Sequence, residues 1–130
     1  MNMNLTLAVN DLVRTEHFYR TVIGVPSVFF SKRTEGDVFF ILTLKNIQVV
    51  FQQFSAFERQ HPALYQNLSR TTLGAGIQLE LAGLNLNEIE HSINRAGWPV
   101  IYELVDDEHQ RREIWVQDPD GYLLVLNQEG

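Results

Sequence analysis

With 130 residues, the chain accommodates one compact domain or two small modules fused around a shared core, and it is too short for two ordinary independent domains. Its 45% hydrophobic, 20% charged and 11% aromatic residues are the mix of a folded globular protein and exclude a disordered chain. A formal charge of -6, from 16 acidic and 10 basic side chains, opposes nucleic acid or an anionic membrane as partner and favours a cationic or neutral small molecule. The absence of cysteine removes disulfides, thiolate zinc sites and cysteine nucleophiles.

The opening Met1-Asn2-Met3-Asn4 has no basic segment and Thr6 interrupts the apolar stretch from Leu5 to Val9. Neither a signal peptide nor a spanning helix is expected, and the protein is read as cytoplasmic.

Leu5, Leu7 and Val9 alternate with Asn4, Thr6, Ala8 and Asn10, the period of a strand with one face on a core. A helix follows, capped by Asp11, with Leu12, Thr15, Phe18, Tyr19, Val22 and Ile23 on one stripe and its end at Gly24 and Pro26. Three apolar runs, Val28 to Ser31, Val38 to Leu44 and Ile47 to Phe54, are separated by turn residues at Thr34-Glu35-Gly36-Asp37 and Lys45-Asn46 and read as a strand meander. From Ser55 to Thr72 the pattern breaks into a connector with a short helix.

After Gly74-Ala75-Gly76 the first pattern returns. Ile77, Leu79 and Leu81 alternate with Gln78, Glu80 and Ala82, and a helix runs from about Asn85 to Ala96 and stops at Gly97-Trp98-Pro99. Strands follow around Val100 to Val105, Glu113 to Gln117 and Tyr122 to Asn127, the last two joined by the turn Asp118-Pro119-Asp120-Gly121. Both halves thus spell strand, helix, strand, strand, strand, and Glu16-His17 falls opposite Glu90-His91, as Gly24-Val25-Pro26 does opposite Gly97-Trp98-Pro99. Such self-similarity implies two modules about a pseudo-twofold axis.

Asp11-Leu12, Phe18-Tyr19 and Gly24 in the first half, with Trp115-Val116-Gln117-Asp118-Pro119-Asp120-Gly121-Tyr122 in the second, resemble the vicinal oxygen chelate superfamily, which includes glyoxalase I, extradiol dioxygenases and bleomycin-resistance proteins. The resemblance runs from about Asn4 to Gln128. It implies an α+β fold of two tandem βαβββ modules whose sheets form a curled mixed cup with helices outside. The whole chain, 1–130, is then a single domain with module one at about 1–54, a connector at about 55–73 and module two at about 74–130. One such scaffold hosts many chemistries, so function has to be argued from the site.

Strand alternation assigns faces. With Leu5, Leu7 and Val9 under the first helix, Asn4, Thr6 and Ala8 point into the cup, as do Gln78, Glu80 and Ala82 in the second module. Gln48, Val50 and Gln52 join them from one closing strand, and Leu123, Val125 and Asn127 from the other. Metal-dependent members of the resembled family place His, Glu or Gln ligands at the start of each module's first strand and within its last. The matching positions are Asn4, Val50, Gln78 and Val125, and two valines supply no donor. No metal and no cofactor is expected.

Of the four histidines, His17 and His91 lie off the apolar stripes and read as solvated, and His109 belongs to a charged hairpin tip, Asp106 to Arg112. Gly74-Ala75-Gly76 precedes a strand and lacks the lysine and helix of a phosphate loop. No serine sits in a Gly-x-Ser-x-Gly context. Trp115 shares the cup face with Glu113 and Gln117, where its ring either stacks on a ligand or fills the floor. Glu80 is a cup-face carboxylate off the metal positions: a partner for a cationic ligand, a general base, or half of an ion pair with a rim arginine.

The leading expectation is a metal-independent binding protein of the glyoxalase/bleomycin resistance type that sequesters a small cationic or aromatic compound without catalysis. Its ligand-binding residues are Asn4, Thr6, Gln48, Val50, Gln52, Gln78, Glu80, Glu113, Trp115 and Val125. The alternative is a glyoxalase-like lyase, isomerase or dioxygenase with a divergent metal site or Glu80 as base. By resemblance the protein is a homodimer.

Overall fold

The computed structural model describes residues 3–25, 28–32 (backbone only), 38–43, 45, 47–66 and 70–128. The expected turn Thr34-Glu35-Gly36-Asp37, together with Pro26, Leu44, Asn46 and Leu68, lies outside the described residues. The chain runs β1 (Met3–Val9), α1 (Leu12–His17, continuing as a π-helical stretch Phe18–Ile23), β2 (Val28–Lys32), β3 (Val38–Thr43), β4 (Ile47–Gln53), α2 (Phe54–Gln60) and α3 (Pro62–Tyr65). It continues with β5 (Gln78–Leu81), α4 (Leu86–Ala96), β6 (Tyr102–Asp106), β7 (Arg111–Gln117) and β8 (Leu123–Asn127).

Two four-stranded sheets result, with the same order: β1-β4-β3-β2 and β5-β8-β7-β6. In each, the first strand pairs parallel with the last and the remaining neighbours are antiparallel. The repeat read from the sequence is therefore a repeat of topology, and the two open sheets with flanking helices make the two-module, cup-like α+β arrangement. The connector folds into two short helices rather than one, and Pro62 opens the second, where its missing N–H costs nothing.

Helix caps match the chemistry expected of them. The Asp11 carboxylate accepts from the Val13 and Arg14 amides, the Asn85 side chain accepts from the Glu88 amide, and left-handed Gly24 and Gly97 end the two helices. The first helix is not α-helical to its end. From Phe18 to Ile23 it widens, the amide of Gly24 reaches back to the Tyr19 carbonyl at 3.1 Å, and Phe18, Tyr19, Val22 and Ile23 are all buried.

Those four side chains are the hinge of the core. Tyr19 lies 4.9 Å from the Phe51 ring, Phe40 stacks on Phe51 at 5.0 Å, and Phe18 meets Trp98 of the second module at 4.7 Å. α4 packs against the π-helical stretch, so a single hydrophobic cluster spans both halves, with Leu7, Val9, Phe51, Leu86, Ile93, Ile114, Leu124 and Leu126 among its members. The Asp118 turn clasps the seam. Tyr19 donates its hydroxyl to the Asp118 carboxylate at 2.8 Å, Tyr122 donates to the Ala8 carbonyl at 2.7 Å, and Asn10 donates twice to Asp120 at 2.9 Å. Among the described residues no helix is long and apolar enough to cross a membrane.

Candidate functional site

With α1 and α4 packed into the core on one side, the cup faces of the two sheets lie on the opposite side. Leu7 and Val9 of β1, Ile114 and Val116 of β7, and Leu124 and Leu126 of β8 enter the core, which leaves the alternate residues on the open faces. Register aligns them in rows. On the first sheet Asn4 pairs with Gln48, Thr6 with Val50 and Val50 with Ile41, and Ala8 with Gln52 and Gln52 with Phe39. On the second, Gln78 pairs with Leu123, and Glu80, Val125, Trp115 and Tyr102 form one row across all four strands.

The rows also superimpose the modules. Thr6 and Glu80 each face a valine, Val50 or Val125, and two residues beyond each valine stands an amide, Gln52 or Asn127. Asn4, Thr6, Gln48, Gln78 and Glu80 are exposed, whereas Val50, Gln52, Glu113 and Val125 are buried. The ten residues expected to share one pocket are therefore divided between the open faces of two sheets that no described strand pair joins.

The two amides differ in their fate. Asn127 Nδ2 donates to Glu80 Oε1 at 2.9 Å, so the partner of Glu80 is this amide and not the rim arginine considered from the sequence. In the first module Thr6 stands where Glu80 does and is too short to play that part. Gln52, only 2% exposed, is left with Nε2 unpartnered among the described residues. A buried donor without an acceptor costs about 1–3 kcal/mol. Gln52→Met, of similar length and apolar, is expected to raise stability by about 1 kcal/mol, or roughly 3–5 °C in Tm by differential scanning calorimetry; an unchanged or lower Tm would show that the amide is satisfied in solution.

Trp115 is half-buried, with the Tyr102 ring edge-on to it at 5.0 Å, and its indole N–H donates to Glu113 Oε1 at 3.0 Å. Arg111 grips the other Glu113 oxygen through Nε at 3.1 Å and through its terminal nitrogen at 2.6 Å. The Arg111 hydrogen bonds, then that from Trp115, hold the Glu113 carboxyl below its usual range. Its charge is thus compensated by Arg111, and Glu113 also holds the indole N–H of Trp115. Among the described residues no Lys, Arg or His forms an ion pair with Glu80. Tyr102 was not foreseen from the sequence; only the β6–β7 register, set by the turn Asp107 to Gln110, brings it beside Trp115.

The other candidates fall away from the faces. His17 and His91 are exposed on the helices, and His109 closes the β6–β7 turn against Asp106 with its ring nitrogen at 2.9 Å. Arg112 points to the helix side, where it binds Glu90, Glu103 and Asn87. Donor chemistry does not fit a divalent ion at the positions the resembled family uses. Asn4 and Gln78 offer amides, Val50 and Val125 nothing, and among the described residues no three His, Cys, Asp or Glu side chains converge.

No family model matches the chain. Virulence protein STM3117 of Salmonella typhimurium is 26% identical over 128 residues, which cover 96% of this chain and 81% of that protein. Among solved structures, a glyoxalase/bleomycin resistance protein from a Streptomyces species superposes with a TM-score of 0.67 at 17% identity, covering 98% of this chain and 100% of that one. Lactoylglutathione lyase from Agrobacterium tumefaciens superposes with a TM-score of 0.66 at 16% identity, covering 100% and 93%. At such identities the likeness establishes the fold.

Proposed function

We propose, from the premise that this chain has the vicinal oxygen chelate fold of the glyoxalase/bleomycin resistance/dioxygenase superfamily, that it binds a small cationic aromatic compound without a metal ion and without covalent chemistry. The observation that carries this reading is the row Glu80, Val125, Trp115, Tyr102 across the open face of the second sheet. It sets two aromatic rings on the same face as a carboxylate that no described cation neutralises, with Val125 between them. A flat cation stacking on Trp115 gains both ring contact and cation–π attraction, and Glu80, two strands away on the same face, adds longer-range charge attraction. The net charge of -6 favours the approach of such a ligand.

Binding, not turnover, is the proposed task, because among the described residues these faces present neither an activated nucleophile nor a metal-ligand set. The working unit is proposed to be a homodimer. In its support, Val100, Ile101, Tyr102 and Val105 are large apolar residues left exposed at the β6 edge.

A thermal-shift screen of cationic and neutral aromatic compounds tests the reading, since a ligand bound only by the folded chain raises Tm. For a hit, Trp115→Ala is expected to weaken binding at least about tenfold, the loss of roughly 1.4 kcal/mol of stacking. Glu80→Gln is expected to weaken cations selectively. Metal content is the second readout: plasma mass spectrometry after incubation with nickel, zinc, manganese and ferrous iron is expected to stay far below one ion per chain, and stoichiometric metal would overturn the metal-free reading.

A further inference from the structure

We propose a second ligand site, distinct from the open faces: a cavity in the seam between the modules that takes a small aromatic or cyclic aliphatic amine. The cavity has a volume of about 170 Å³, with Leu5 and Leu42 of the first sheet facing Leu79 and Leu124 of the second. All four residues of β5, Gln78 to Leu81, line it. Successive strand side chains point to opposite faces, so a cavity touched by four in a row runs along the strand's edge. β5 is indeed the edge strand of its sheet, and the backbone groups on its outer side have no ladder partner among the described strands.

The site is thus an apolar chamber with a polar end. Aliphatic voids of about 150 Å³ stay dry and admit a benzene-sized ring, because water gains no hydrogen bonds there. Gln78 and Glu80 are exposed and mark the solvent end of this one. One Glu80 oxygen is held by Asn127, which leaves the other for an ammonium group, with free edge carbonyls of β5 as further acceptors. A ring on a one-carbon stem to an ammonium group meets both requirements at once. Glu80 borders both sites, so the seam proposal stands on the leucine walls, which lie on the other side of β5 from the Trp115 row.

Nuclear Overhauser contacts on isotope-labelled full chain, with benzylamine and toluene as probes, test it. Ring protons of both probes are expected to contact the methyls of Leu5, Leu42, Leu79 and Leu124. Filling the chamber by Leu79→Phe, or by Leu5→Phe where the first fails to fold, is expected to abolish those contacts. Glu80→Gln is expected to weaken benzylamine about fivefold, the scale of one screened charge contact, and to leave toluene unaffected. Contacts confined to the Trp115 and Tyr102 rings would overturn the seam site while favouring the open face. No contact at millimolar probe would overturn the seam site alone, and benzylamine insensitive to Glu80→Gln would overturn the amine class.

Discussion

Replacing Asp118 by alanine is expected to destabilise the protein by about 3 kcal/mol at neutral pH, read as a lower urea midpoint at unchanged slope. Asp118 is 4% exposed and accepts three hydrogen bonds: from the Tyr19 hydroxyl at 2.8 Å, the Asp120 amide at 2.9 Å and the Tyr122 amide at 3.0 Å. Each donor orphaned in the seam costs about 1–3 kcal/mol. Part of that loss is returned, because the carboxylate is itself costly to bury: desolvation raises its pKa from 3.8 to about 6, and the three hydrogen bonds only partly oppose the rise. The gross penalty exceeds the relief, so the alanine variant loses.

Asparagine separates the two effects. Its Oδ1 keeps both amide donors, its Nδ2 donates to a reoriented Tyr19 hydroxyl, and the buried charge is gone. Between pH 4 and 6 the native wild type holds a proton on Asp118 that the unfolded chain has released, so this group's contribution to stability falls as pH rises through that window. A shift of about two pKa units is worth roughly 3 kcal/mol. Asp118→Asn is accordingly expected to exceed the wild type by about 1–3 kcal/mol at pH 7 and to match it near pH 3, since the contribution is fully present below the unfolded pKa. Urea titrations at the two pH values check this; an asparagine variant as damaged as the alanine one would show that the charge itself holds the seam.

Gly74→Ala is expected to be at least as harmful, at about 3–5 kcal/mol, and to release the segment before β5 from the Asp118 turn. Gly74 has φ +80°, and a β-carbon there would stand 2.5 Å from the Tyr122 nitrogen and 2.6 Å from the Gly121 carbonyl carbon. Backbone at that distance cannot swing aside as a long side chain would. Gly76→Ala is the control. It has φ +76° but nothing within 4 Å, so only the left-handed conformation is penalised, at about 1–2 kcal/mol. Equal melting temperatures for the two variants would show that the close approach is relieved in solution.

Local chemistry was legible in the sequence wherever neighbouring residues decide it. Alternation in Leu5 to Val9 and Gln78 to Leu81, the caps Asp11 and Asn85, and the stops Gly24 and Gly97 depend on residues within one turn or one strand. The repeated order of those elements was enough to read two modules, and the resemblance to a known superfamily implied the α+β cup they form. Trp115 was assigned to the face opposite Ile114 and Val116 by the same period of two, and the core holds both of the latter.

What no local pattern carries is which residues meet across the chain. The sequence shows Glu80 as a carboxylate and Asn127 as an amide 47 positions away; only parallel pairing of β5 with β8 joins them, and only the presence of Thr6 at the equivalent place leaves Gln52 without such a partner. Asp118-Pro119-Asp120-Gly121 was readable as a turn, because proline and glycine restrict their own backbone. That it clasps Tyr19 and Asn10 of the other module, and that Gly74 must be bare to lie against it, follows from how distant segments pack, the π-helical stretch Phe18–Ile23 against α4 among them. The sequence by itself thus determined the elements, their faces and their repeat, since propensity and periodicity act over a few residues. The tertiary structure alone decided the pairing of polar groups and the seam cavity, since those depend on distances between segments that the sequence does not encode as neighbours.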